Sequence, residues 1–244
     1  MGPQLRVFDS PDAVTRTAAQ SVHDRAWAAA NARGRFTLAL SGGNTPRALY
    51  RQMAAGPRLP WDRTVFCFGD ERNVPPDNAE SNYRMAREAL IDQPFVSQSS
   101  VYRIKGELPA DEAAADYEQT LRKLFPGTAS VPSFDLVLLG LGPDGHTASL
   151  FPGSPALAES KRWVVGNFVE KFKTHRITLT FPVLNAATEV LFLVVGEDKA
   201  WALRNVLRGS APVAEIPARG VVPTSGRLTF LVDRAAAAGL GQTA

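Results

Sequence analysis

Three short stretches of this chain combine residue types that can act on a polar, anionic molecule. The richest is Gly140-Leu141-Gly142-Pro143-Asp144-Gly145-His146-Thr147, where a histidine and an acid share a glycine-rich loop after an apolar run. Imidazole is the side chain best suited to moving protons near neutrality, so His146 is the candidate general base. Asp144 is positioned to fix the ring's tautomer or to accept a hydrogen bond from substrate. Glu71 is the other acid available to orient the ring. If a helix starts at His146, its positive end keeps the imidazole neutral. His23, in a helix-like segment, and His175, before a strand, lack such surroundings.

The second stretch is Ser41-Gly42-Gly43-Asn44-Thr45-Pro46. Two glycines let backbone approach a ligand, and the proline suits a helix's first turn, so free amides and the Ser41 and Thr45 hydroxyls fit a phosphate. A tight turn with an N-cap is the equal alternative, because the stretch matches neither the Walker nor the dinucleotide fingerprint. The third stretch, Phe68-Gly69-Asp70-Glu71-Arg72, puts two acids and an arginine where a strand ends. A structural ion pair is one use. Arg72 is also well suited to an oxyanion or a substrate carboxylate, with Asp70 as a substrate ligand, and that reading is preferred. Later, Arg176 and Lys199 fall at element boundaries and suit a phosphate, whereas Lys173 reads as solvated surface.

Chemistry of this kind needs a frame. Phe36 to Leu40, Thr64 to Phe68, Phe134 to Leu141 and Val190 to Val195 are apolar nearly throughout, as strands covered on both faces are. Helix-like segments lie between them at Pro11 to Ala32, Pro46 to Ala55, Ser81 to Ile91, Asp111 to Leu124 and Lys199 to Leu207. The alternation predicts a doubly wound α/β fold, a mainly parallel sheet with helices on both faces. Arg176 to Thr180 and Leu228 to Asp233 read as further strands at a sheet edge, with room for a small edge subdomain. In such folds ligands gather beyond the strands' carboxyl ends, where all three stretches fall.

Composition bounds the rest. The chain has 244 residues, 45% hydrophobic and 21% charged, with no long Pro/Gly/Ser linker and no repeat, so residues 1–244 are expected to form one domain. Its 27 Lys and Arg exceed its 24 Asp and Glu by only three, and they are scattered, so no nucleic acid is implied. Cys67 is the single cysteine and lies in an apolar run, which leaves no disulfide framework. The amino terminus lacks signal-peptide organisation, and no run reaches membrane-spanning length; a cytoplasmic location is expected. No histidine and acid spacing resembles a metal site.

In order, SGGNTP, FGDERNVPPDNAESNYRMAREAL, GLGPDGHTASLFPG, RITLTFPVLNAA and VVGEDKA resemble the signature segments of the 6-phosphogluconolactonase family, from about Phe36 to Ala200. The resemblance implies a sugar-phosphate isomerase-like fold shared with glucosamine-6-phosphate deaminases. It implies hydrolysis of 6-phospho-D-glucono-1,5-lactone to 6-phospho-D-gluconate in the oxidative pentose phosphate pathway, without a cofactor. His146 becomes the base that activates water, with Asp144 nearby and Arg72 at the reacting end. Gly42, Gly43, Asn44, Thr45, Arg176 and Lys199 would hold the phosphate. Transient association with glucose-6-phosphate dehydrogenase is a further expectation.

One departure concerns Lys171: many members carry paired prolines after this lysine, where the chain has Phe172 and Lys173. Two rivals stand beside the hydrolase. Resembling deaminases and isomerases carry a glutamate five residues after the loop histidine, a position that is Phe151 here, and phenylalanine relays no proton. A sugar-phosphate sensor would need the pocket alone.

Overall fold

The computed structural model describes residues 2–56, 58–127 and 131–241. Strand β1 (Gln4–Phe8) leads into α1 (Pro11–Arg33), whose two ends are set chemically. The Ser10 hydroxyl accepts from Ala13 N at 3.2 Å, and Gly34, at φ +79°, closes the helix by donating to Ala30 O. Then follow β2 (Phe36–Leu40), α2 (Asn44–Ala55), β3 (Thr64–Phe68), β4 (Asp70–Arg72), α3 (Asn82–Ala86) and α4 (Ala110–Leu124). The second half holds β5 (Leu136–Gly140), β6 (Val164–Val169), β7 (Thr174–Leu179), α5 (Phe181–Asn185), β8 (Glu189–Val194), α6 (Ala200–Arg208), β9 (Arg227–Asp233) and α7 (Arg234–Ala237).

Six strands form a parallel sheet in the order β1-β9-β8-β5-β2-β3. Every residue of β2 and β8 is buried, so both faces of the sheet are covered. A smaller antiparallel sheet, β4-β7-β6, stands beside it. Gly69 is the joint between the two. Its N–H donates to Leu40 O at 2.8 Å, and its carbonyl accepts from Leu179 N at 2.8 Å. The large sheet's strand β3 therefore runs on, after one residue, as the small sheet's strand β4.

The expected α/β architecture is present, with two corrections of position. Leu228 to Asp233 is not at an edge, because β1 pairs outside β9. Arg176 to Thr180 falls mostly in β7, the middle strand of the small sheet. Strands β1, β4 and β6 were not foreseen: β1 is largely exposed, β4 is three charged residues, and β6 carries Gly166 and Asn167, so none shows a long apolar run. The segment Ser81 to Ile91 is helical, but α3 passes into a π turn at Arg87–Ile91. Among the described residues no helix is long and apolar enough to cross a membrane.

The open ends of β2 and β3 are finished by tyrosines. Tyr50 of α2 accepts from Ser41 N at 2.9 Å and donates to Ser41 O at 2.8 Å. Tyr117 of α4 accepts from Phe68 N at 2.8 Å and donates to Phe68 O at 3.1 Å. Both side chains are fully buried, so each hydroxyl serves backbone groups that water does not reach. Tyr117→Phe is expected to lower unfolding free energy by about 1–3 kcal/mol, the cost of stranding buried polar groups, read from urea denaturation.

Candidate active site

The loop after β5 is built around its glycines. Gly142 N donates to His146 O at 2.8 Å, and Gly145 N donates to Gly142 O at 3.0 Å, closing the turn. Gly145 sits at φ +81°, a conformation glycine adopts without strain. The Thr147 hydroxyl donates to Gly140 O at 2.9 Å and ties the loop's far side to the strand end. A Cβ on Gly142 would overlap His146 Nδ1 and lie 2.8 Å from Asp144 Oδ1. Glycine there makes room for the pair.

Within that turn, Asp144 Oδ1 lies 2.5 Å from His146 Nδ1 and accepts from His146 N at 3.3 Å. Its other oxygen, Oδ2, accepts from Lys171 Nζ at 2.9 Å. Burial alone would push the Asp144 carboxyl up. The His146 hydrogen bond and charge, joined by Lys171, outweigh burial and hold the group well below the usual carboxylate range. An ionised carboxylate only accepts, so the ring nitrogen that faces it, Nδ1, carries a proton, and in the neutral imidazole Nε2 is then the basic nitrogen. The Phe151 ring stacks on the imidazole, with centroids 4.1 Å apart and planes 25° from parallel. No helix begins at His146: the chain runs through a turn from Thr147 to Leu150. No helix end therefore faces the ring, which corrects that expectation; the group bonded to it is Asp144.

Beside the pair is a cleft of about 200 Å³ lined by Ser41, Gly42, Gly43, Asp70, Arg72, Asn82, Gly140, Leu141, Gly142, His146 and Ala148. Ser41, Gly42, Gly43, Asp70, Arg72 and His146 are thus brought together from β2, β4 and β5. The Ser41 hydroxyl is buried and has no hydrogen-bond partner among the described residues, and Ser41 lines this cleft. Behind it α2 begins at Asn44 with no side-chain cap, which leaves amides for an anion. Asn44, Thr45, Asp144, Arg176 and Lys199 do not line this cleft. Asp144 lies behind His146, and Lys199 is paired with Asp198 at 2.8 Å.

The acids of the third stretch divide sharply. Glu71 is buried, and its carboxylate accepts from Arg72 N, Asn82 N, Tyr83 N and Ser81 Oγ at 2.7–3.0 Å. It caps α3 and is not the partner of His146. Asp70 faces the cleft, its Oδ2 accepting from Ser149 Oγ at 2.7 Å. Arg72 and Arg176 are register partners across β4 and β7, and their guanidinium groups reach the carbonyls of Glu80 and His175. Burial first, and then repulsion by Arg72, push the Arg176 guanidinium below its ordinary value. An anion between two such cations would relieve that repulsion.

Sequence reasoning did not single out Asn82 as a cleft residue. It is buried, donates to Asp70 O at 3.0 Å, and fills the space a Cβ on Gly42 would need. The adjoining serine caps α3 instead, accepting from Arg84 N at 3.1 Å. Nothing local in the sequence marks which of two adjacent polar residues turns inward. Among the described residues, no three His, Cys, Asp or Glu side chains gather in a way that could hold a metal ion.

Residues 9–230 match the family model of glucosamine-6-phosphate isomerases/6-phosphogluconolactonase. A 6-phosphogluconolactonase of Homo sapiens is 43% identical over 239 residues, covering 96% of this chain and 92% of that protein. One from Synechocystis is 41% identical over 245 residues, covering 97% and 98%. Among solved structures, 6-phosphogluconolactonase from Trypanosoma brucei superposes with a TM-score of 0.87 at 31% identity, covering 98% of this chain and 99% of that one. A monomeric glucosamine-6-phosphate deaminase, 21% identical with a TM-score of 0.80, shares the fold.

Two substitutions separate the geometry of the pair from the integrity of the frame. Gly142→Ala is expected to dislodge the His146 ring and lower turnover by roughly a hundredfold or more, with the melting temperature little changed. Glu71→Gln sets an amide NH2 against backbone donors, and is expected to destabilise by about 1–3 kcal/mol in urea denaturation.

Proposed function

The chain belongs to the glucosamine-6-phosphate isomerase and 6-phosphogluconolactonase family, and from that premise we propose that it hydrolyses 6-phospho-D-glucono-1,5-lactone to 6-phospho-D-gluconate. This is the lactone step of the oxidative pentose phosphate pathway. The family name covers two chemistries; the relatives more than 40% identical over nearly the whole chain that are described above are named as lactonases, so the chain is a lactone hydrolase. Phe151 supports the same choice, because it stacks on His146 where the resembling deaminases carry a glutamate.

The observation that carries the mechanism is the Asp144 to His146 contact at 2.5 Å beside a polar cleft. His146 Nε2 takes a proton from water as the water oxygen bonds to the lactone carbonyl carbon. Negative charge then forms on the carbonyl oxygen, and Arg72 or backbone amides of the glycine-rich loops left free by the phosphate stabilise it. When the tetrahedral centre collapses, the bond to the ring oxygen breaks. His146, which holds the water's proton, returns it to that oxygen and is neutral again. The balance is lactone plus water to hydroxy acid, which then loses a proton to solvent.

The phosphate is assigned to the Ser41–Thr45 loop, with Arg176 and Lys199 as outer cations and Asp70 as a ligand to sugar hydroxyls. One core joins the large and small sheets, which supports reading the chain as a single unit. Cys67 is fully buried and burial pushes its thiol up to about 12, an inert thiol suited to the reducing cytoplasm.

The test generates the lactone in situ and follows its decay with wild type, His146→Ala and no protein. Wild type is expected to accelerate decay, and His146→Ala, folded, to lose at least a hundredfold of that acceleration. Decay no faster than buffer would remove the lactonase reading. Turnover of glucosamine 6-phosphate instead would install the deaminase, and binding without turnover of either would install the sensor. Arg176→Ala and Lys199→Ala are expected to raise KM roughly tenfold, with kcat within about twofold, as phosphate ligands remote from the reacting bond do.

A further inference from the structure

The tip of the β6–β7 hairpin reaches the His146 and Asp144 pair twice. A 3-10 turn at Glu170–Phe172 and a left-handed Lys173, at φ +50°, reverse the chain between Val169 and Thr174. The turn sends Lys171 Nζ to Asp144 Oδ2 at 2.9 Å. It also sends Phe172 edge-on to Phe151, with centroids 5.7 Å apart and planes at 79°, while Phe151 stacks on His146 at 4.1 Å. Phe172 is 48% exposed, a large apolar ring left half in water at a hairpin tip. Its neighbours there are cationic: Lys171 Nζ lies 5.5 Å from the ring centroid and Arg176 Cζ 5.9 Å.

We infer that this hairpin tip is a two-point clamp, in which Lys171 acts through Asp144 and Phe172 acts through Phe151 to fix the tautomer and orientation of the His146 ring. Neither residue touches the reacting atoms; both are positioning residues, and the inference deepens the lactonase reading on which it rests. The His146 ring and backbone N–H both bond Asp144 Oδ1 alone, so the plane of the carboxylate is fixed at both oxygens only when Oδ2 is held as well. Lys171 holds it. A ring pinned at Nδ1 alone still pivots about that bond unless a face is supported, and Phe151, backed by Phe172, supports it. The charged groups around the pair are Lys171 on the hairpin and Asp70 and Arg72 across the cleft. Glu170 at the tip is occupied by Lys173. Lys171 is thus the one cation bonded to Asp144 among the described residues.

The test compares wild type with Lys171→Met, Phe172→Ala and the conservative Lys171→Arg and Phe172→Tyr. Each is read by imidazole ¹⁵N NMR, with the His146 signals identified by their loss in His146→Ala, and by steady-state kinetics. Wild type is expected to show the Nδ1-protonated tautomer alone. Lys171→Met and Phe172→Ala are expected to give ¹⁵N shifts averaged between tautomers, with kcat down roughly tenfold, part of the 10²–10⁴ a positioned base supplies, and KM within about twofold. The conservative variants are expected to restore both. Unchanged ¹⁵N shifts and kcat would overturn the clamp. A raised KM with unchanged shifts would also overturn it, assigning Lys171 to substrate. The tautomer readout needs no substrate, so a shift response in a protein that leaves the lactone untouched would uphold the clamp while the lactonase reading failed.

Discussion

The contact on which the rest of the site depends is the hydrogen bond between Asp144 Oδ1 and His146 Nδ1, at 2.5 Å. One ionised carboxylate, held low by its partners, decides which ring nitrogen carries the proton and which one is basic. The surrounding loop serves that bond. Gly142 leaves space for the ring, Gly145 turns the backbone through positive φ, and Thr147 anchors the loop to the end of β5. The imidazole needs no helix dipole in this arrangement, because a side chain two residues away does the work of orienting it.

The two sheets divide the labour. The parallel sheet delivers Ser41 to Gly43 and the Gly140 to His146 loop from adjacent strands β2 and β5 to one edge. The antiparallel sheet supplies the cations, Arg72 and Arg176, from paired positions on β4 and β7. Gly69 joins them with one hydrogen bond to each side, so the cations are set relative to His146 by backbone and not by flexible side chains alone. Glu71, which in sequence competes with Asp144 for the role of acid, is consumed in capping α3. Capping in turn fixes Asn82 and, through it, Asp70 and Gly42.

Much of this was legible in the sequence, and for identifiable reasons. Strands β2, β3, β5 and β8 are buried on both faces and therefore read as unbroken apolar runs, and the loops that follow them carry glycines that only a tight turn or a close approach requires. Strand β1 was hidden by its exposure, β6 by its glycine and asparagine, and the inner position of β9 by the absence of β1 from the reading. Within the site, the division between Asp144 and Glu71 could not be read from spacing, because both are acids near a strand end. It is settled in three dimensions by which one meets backbone donors. The contact between Lys171 and Asp144 joins residues 27 apart and depends on the hairpin that the sequence pattern concealed.

The most direct test of the account is the kcat of Asp144→Asn with the phosphorylated lactone, measured beside an NMR readout of folding. An amide in place of the carboxylate removes the charge and the exclusive acceptor that fix His146 in its Nδ1-protonated form. The kcat is expected to fall by roughly 10²–10⁴ with KM little changed and the fold intact. An Asp144→Asn protein that turns over like wild type would contradict it, and would move the reacting centre away from this pair.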